Sequence, residues 1–240
     1  EHNLGSLFGH LIFSQPLSEI TIMNRRFGVV LTSLLSVGAF AAGVTLYSSS
    51  VAGEPAAKAA AVPKDIFVRP HSPIIGPKSA PVTIVEFFDP SCEACRAFYP
   101  SVKQILAAYP KDVRLVMRYL PLHEGSAEAI GILEAARAQG VLQPVMEALL
   151  DAQPKWHNGD MTGAWSAAKA AGLDLVKAKA MPSVGINAMM KSDLEDANTL
   201  GVKGTPSFFV NGKPLAEFGP EPLYAQVRAE VEAQQNPNQE

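Results

Sequence analysis

The chain is poor in cysteine, with 2 in 240 residues. That excludes the disulfide scaffold of a small secreted domain and a four-cysteine zinc site. Positive charge is also scarce. Lys and Arg number 20 against 23 Asp and Glu, a net −3 that is the wrong sign for a nucleic-acid-binding surface. Hydrophobic residues make up 48% and charged residues 18%, which excludes wholesale disorder and suits a domain with a substantial core. No internal repeat is visible. What cysteine there is lies in one place, Cys92-Glu93-Ala94-Cys95.

The first Met is Met23, so residues 1–22 are expected to contribute nothing to the fold. Met23-Asn24-Arg25-Arg26 opens a basic segment, followed by an uncharged apolar run from Phe27 to Tyr47 and small residues at Ser50-Val51-Ala52. This is the layout of an export signal over 23–52. The run is also long enough to serve as a membrane anchor, which needs about 20 residues. Arg25-Arg26 hints at twin-arginine export, weakened by Gly28 where that pattern takes a large apolar residue. Either way the functional part is expected outside the cytoplasm, in the periplasm, where disulfides persist. Removing 1–52 takes away Glu1, Glu19, Arg25 and Arg26, so the charge balance stands.

Residues 53–80 are rich in Ala and Pro and read as a linker, with Ile66-Phe67-Val68 as a short edge strand inside it. Pro81–Phe88 is β-rich and apolar on both faces except at Glu86, the pattern of a central strand. A helix is expected from about Cys92 to Ala108, kinked at Pro100. A second buried strand runs from Val113 to Leu120. Helices follow over Ser126–Gln139, Val141–Ala152, Thr162–Ala171 and about Ile186–Leu200, two of them closed by Gly140 and Gly172. Ser207–Val210 and Lys213–Leu215 flank Asn211-Gly212, a strong hairpin signal, and a helix over Pro222–Ala233 closes the chain. The order predicts an α/β fold with one sheet between helices.

A C-x-x-C pair that opens a helix after a buried strand is built for redox chemistry. The helix N-terminus offers unpaired N–H groups and a partial positive charge, both favouring a thiolate. The second cysteine lies one turn on, close enough to bond to the first and to resolve a mixed disulfide. A purely structural disulfide with so short a loop removes little unfolded-chain entropy. Half a zinc site lacks its other ligands. His71, His123 and His157 are scattered and read as surface or capping residues, so no metal and no cofactor is expected.

Val85-Glu86-Phe87-Phe88-Asp89-Pro90-Ser91-Cys92-Glu93-Ala94-Cys95, together with Gly201-Val202-Lys203-Gly204-Thr205-Pro206-Ser207-Phe208-Phe209-Val210-Asn211-Gly212, resembles the DsbA-type thiol–disulfide oxidoreductases. The resemblance implies a thioredoxin domain in two parts, 81–122 and 201–240, with a helical insertion over 123–200. It implies Cys92 as nucleophile, Cys95 as resolving thiol, and Thr205-Pro206 as a cis-proline loop that pairs with an extended substrate segment. It places Glu86 as a buried acid beneath the motif, with a raised pKa and a proton to relay to Cys95. Trp156, Trp165, Met146, Met161, Met181, Met189 and Met190 in the insertion are candidates for a peptide-binding lip, with core packing the commoner use of such residues.

The residues between the cysteines tune the potential. Oxidising relatives resemble C-P-H-C, whereas Glu93-Ala94 sets a carboxylate beside Cys92, which disfavours the thiolate. The expected potential therefore lies near −180 to −230 mV, below the roughly −120 mV of a strong oxidant. Thr205 resembles the isomerase branch, but residues 53–80 are too short and proline-rich for that branch's dimerisation domain, so a monomer is expected. The implied partners are exported proteins or peptides bearing thiols or disulfides, and a membrane redox protein. Two other readings use the same pair, a dedicated reductase and a Cu(I)-binding module.

Overall fold

The structure is a computed structural model and describes residues 64–235. The upstream segment, the export signal or anchor and the first part of the proline-rich stretch lie outside the described residues. Among the described residues no helix is long and apolar enough to cross a membrane.

The core is a five-stranded sheet. Its strands are β1 (Ile74–Ile75), β2 (Val82–Phe88), β3 (Val113–Tyr119), β4 (Ser207–Val210) and β5 (Lys213–Pro214), in spatial order β1-β3-β2-β4-β5. Strands β2 and β3 are parallel and every other pairing is antiparallel. The apolar run at Val82–Phe88 thus takes the central position, as doubly covered strands do. Successive side chains alternate between the faces. Val82, Ile84 and Phe88 enter a large cluster shared with Cys92 and Cys95, while Val85 and Phe87 enter a smaller one with Ala197 and Phe209. Glu86 falls on the face of Ile84 and Phe88, the face the motif helix covers.

The helices are α1 (Glu93–Ala108), α2 (Ser126–Ala138), α3 (Leu142–Ala152), α4 (Thr162–Ala170), α5 (Leu175–Lys179), α6 (Ser183–Thr199) and α7 (Pro220–Gln235). Cys95, Phe98, Tyr99, Val102 and Ile105 give α1 one buried stripe at helical spacing, and Leu223, Val227 and Val231 do the same for α7. Helix α1 runs through Pro100, which removes one ladder hydrogen bond. The hairpin forms at Asn211-Gly212, both with positive φ (50° and 80°), the geometry this dipeptide supplies without a Cβ clash at glycine. Asn211 fixes it by accepting from Thr83 N–H at 2.9 Å and donating to Glu230 at 2.9 Å. The short α5 was not expected. Asp174 caps it, accepting from Val176 and Lys177 N–H.

The proline-rich segment differs from its reading as a linker. Ile66–Val68 is not a strand: Lys64–Ile66 is a 3-10 turn, and the edge strand is Ile74–Ile75, paired with Leu115 and Val116. Ile66 is buried, and the segment is held by a charge network the sequence pattern does not reveal. Arg118 of β3, fully buried, donates to Asp193 at 2.8 Å, to Asp196 at 2.5 Å and to the Ile66 carbonyl. Asp196 also accepts a forked pair from Arg69 at 2.7 and 2.8 Å, and Asp193 meets His71 at 2.7 Å and Tyr119 N–H at 2.7 Å. One network therefore joins β3, α6 and the chain before β1.

Removing Arg118 leaves Asp193 and Asp196 buried and short of cations. Arg118→Met is expected to cost about 3–5 kcal/mol in denaturant unfolding. Arg69→Met, at the solvent edge of the same network, is expected to cost much less.

Candidate functional site

Strand β2 ends at Phe88, and the turn Asp89-Pro90-Ser91 delivers Cys92 to the N-cap of α1, with φ −75° and ψ 122°. Asp89 shapes that turn, accepting from Ser91 N–H at 2.9 Å as Asx turns do. Cys92 and Cys95 are free thiols, 5% and 0% exposed. Glu93 and Ala94 lie between them on the exposed surface of the first turn. The Thr205-Pro206 bond is cis, and the Cys92 thiol donates to the Thr205 carbonyl at 3.3 Å. The structure thus brings Cys92, Cys95, Thr205 and Pro206 to one place, with Glu86 behind Cys95.

The two sulfurs are electrostatic opposites. Cys92 is pulled down to about 5, first by the Cys95 thiol as donor, then by Thr205 and by the Cys95 and Ala94 N–H groups, against the opposing effect of burial. Those N–H groups are first-turn donors that no intrahelical carbonyl uses. Thr205 Oγ1 is buried with no hydrogen-bond partner, so its hydroxyl is free to turn to the thiolate once the thiol proton, and with it the bond to the carbonyl, is gone. Cys95 is driven far above the usual thiol range by burial, by its role as donor to Cys92 and by Glu86. Burial, with a smaller contribution from the Cys92 charge, raises Glu86 to about 8. At neutral pH the site therefore holds one thiolate, one thiol and one protonated carboxyl. Glu93 is expected to work against this thiolate. Glu93 is exposed, and the donors around the sulfur outweigh a water-screened charge.

Several supporting residues escaped the sequence reading. Asp89 is fully buried and also accepts from Leu122 N–H (2.8 Å), His123 N–H (3.1 Å), the His123 ring (2.7 Å) and Ser126 Oγ (2.5 Å). Ser91 Oγ donates to the Glu124 carbonyl at 2.8 Å. Gln153, buried at the end of α3, donates to the carbonyls of Pro90 at 2.8 Å and Cys92 at 3.0 Å. The Asp-Pro-Ser turn was a legible signal for Asp89; nothing local marks His123 or Gln153. Core packing, the commoner expectation for the lip candidates, is what the buried ones show. Trp156, Met146, Met161 and Met189 are buried core residues, and Trp156 Nε1 donates to the Leu149 carbonyl at 3.0 Å. Trp165, Met181 and Met190 pack partly buried against the same cluster.

The sequence model of the family described as Thioredoxin matches residues 69–229. The chain belongs to the thioredoxin family. It is similar to the crystal structure of a thioredoxin-like oxidoreductase from Silicibacter pomeroyi DSS-3, with 31% identity, 72% of this chain and 98% of that chain covered, and a TM-score of 0.62. It is also similar to a periplasmic thioredoxin-like protein from Salmonella enterica serovar Typhimurium, with 26% identity, 70% and 95% coverage, and a TM-score of 0.54. Among curated proteins it matches the Na(+)/H(+) antiporter NhaA 1 of Salinispora arenicola (strain CNS-205), 34% identical over 142 residues, which is 58% of this chain and 21% of that protein. The chain spans about a fifth of the length of the curated relatives it matches.

Ultraviolet thiolate absorbance of the reduced protein should titrate with a midpoint near 5, from Cys92 alone. The trace should vanish in Cys92→Ser and persist with an altered midpoint in Cys95→Ala. Glu86 also has a pH signature. Its folded pKa is about 8 and its unfolded value about 4.3, so stability falls as pH rises between them. Glu86→Gln removes that loss and should stabilise the protein by roughly 2–4 kcal/mol at pH 7 and by little at pH 4, as read by denaturant unfolding at the two pH values.

Proposed function

We propose that this thioredoxin-family protein passes its Cys92–Cys95 disulfide to thiols of exported proteins in the periplasm. The observation that carries the reading is the placement of Cys92 at the N-cap of α1, its thiol 3.3 Å from the carbonyl of the cis Thr205-Pro206 loop, where its donors hold it down to about 5. A stabilised Cys92 thiolate stabilises the reduced form, and that makes the disulfide an oxidant. A substrate thiolate attacks the Cys92 sulfur, and the Cys95 sulfur leaves with the electron pair. The leaving thiolate needs a proton, and Glu86 holds one at neutral pH on the buried side of the pair. A second substrate thiolate then attacks its own mixed-disulfide sulfur and releases Cys92 as a thiolate, an easy leaving group at this pKa. In the reverse direction, Cys95 resolves the mixed disulfide by giving its proton to ionised Glu86.

The Thr205 carbonyl beside Cys92 and the N–H groups of its loop offer an extended segment a place to pair. A groove of about 340 Å³ runs alongside, lined by Leu200, Val202, Pro206, Phe208, Leu215 and Phe218. It suits an apolar peptide, which an unfolded exported chain presents. The export layout of residues 23–52 and the periplasmic relative support the location. A membrane redox partner would restore the disulfide.

A Cys95→Ala variant expressed with the native export segment should accumulate mixed disulfides through Cys92 with periplasmic proteins. In a glutathione titration the wild-type pair should poise near −180 to −230 mV, between the values of about −270 and −120 mV that flank a thiol pKa of about 5. A potential at or below about −270 mV, the range of a reductant, or a variant that captures nothing, would sink this reading.

A further inference from the structure

The motif contains no cation, and none of the donors that lower Cys92 is charged. The turn joining β3 to α2 brings a group that can carry one, His123. It is stitched to the motif turn at Ser91 Oγ–Glu124 O (2.8 Å) and at Asp89, where the backbone N–H groups of Leu122 and His123 and the Ser126 hydroxyl converge. The His123 ring closes onto Asp89 through Nδ1 at 2.7 Å. Asp89 lies three residues before Cys92 and is wholly buried, so the ring is held at a fixed place beside the motif although its outer edge meets solvent. Gly125 tightens the turn: its φ is 75°, and a Cβ there would meet Met161 Sδ at 2.7 Å.

We propose that His123 is a positioning residue for the charge on Cys92, a cation supplied from outside the motif whose proton occupancy follows the redox state of the cysteine pair. The ring contacts Asp89 from the β2–α1 turn, and the other charged groups that act on it are Cys92 and Glu93 from the start of α1. Its neighbour Glu124 points away, against Gly159. The hydrogen bond to Asp89 raises the His123 pKa most, burial opposes it, and the Asp89, Cys92 and Glu93 charges add to it. One of those charges appears only on reduction. When a substrate dithiol gives two electrons to the disulfide and becomes a disulfide itself, Cys92 gains a negative charge and Cys95 a proton. His123 then binds a further fraction of a proton, released again on reoxidation. By reciprocity the imidazolium stabilises the thiolate that stabilises it.

This role rests on Cys92 as the nucleophile, and the test separates the two. NMR of the His123 ring in the full chain should give a higher pKa in the dithiol form than in the disulfide form. His123→Gln keeps a donor for Asp89 without the charge, and His123→Lys keeps a charge. His123→Gln should raise the Cys92 titration midpoint, and should shift the glutathione equilibrium against the dithiol about 3- to 10-fold. His123→Lys should stay within about twofold of the parent at neutral pH. Identical ring titrations in the two redox forms, or a His123→Gln midpoint equal to the parent's, would overturn the role of His123 and leave Cys92 as it stands. A parent whose Cys92 does not ionise below neutral pH would overturn the nucleophile itself.

Discussion

A carboxylate sealed from water must be surrounded by donors, and Asp89 meets that demand by gathering the parts of the site around itself. Its oxygens hold the motif turn through Ser91 and the β3–α2 turn through Leu122, His123 and Ser126. The strand that carries Glu86 and the helix that carries the cysteines meet at this residue. So does the start of the helical insertion. Any displacement of one turn would leave a buried charge partly unsatisfied, so the cysteine pair is held to a single placement.

Within that frame the chemistry depends on an asymmetry of solvation. Both sulfurs are buried by area, but Cys92 faces the helix N-terminus and Thr205, whereas Cys95 faces the apolar sheet and Glu86. Several donors reach Cys92, whereas Cys95 has only the Asp89 N–H against strong burial. The negative charge therefore settles on Cys92, and the proton settles on Cys95 or Glu86. Four residues of sequence produce this separation, because the first turn of a helix supplies free N–H groups at its end and a buried stripe one turn later.

Local patterns in the sequence were legible because their causes are local. The doubly apolar run at Val82–Phe88 became the central strand, Asn211-Gly212 became the hairpin, and C-x-x-C opened a helix. The helical insertion was visible as alternating helix and glycine signals. What could not be read was fixed by partners distant in sequence. Pro-rich composition suggested a linker before Pro81, yet Arg118 and Asp196 bind that stretch to the sheet and to α6. His123 looked like a stray surface residue because nothing near it in sequence announces Asp89. Trp156 could be read as core or as part of a lip, because an aromatic side chain carries no mark of which way it faces.

The insertion is part of the site's mechanics as well as its bulk. Gln153 sits where α3 gives way to a 3-10 turn, and its amide donates to the carbonyls of both Pro90 and Cys92. Its own Oε1 is buried without a partner. Such an orphaned acceptor is costly, and it is sustained by the pair of bonds on the other end of the same amide. The Cys92 carbonyl also accepts the first hydrogen bond of α1, from Arg96 N–H at 3.2 Å. Gln153 thus grips the helix cap from within the insertion. Two elements of the insertion, one at its start through Asp89 and one midway through Gln153, bracket the N-terminus of α1, and the orientation of the thiolate's donors follows from both.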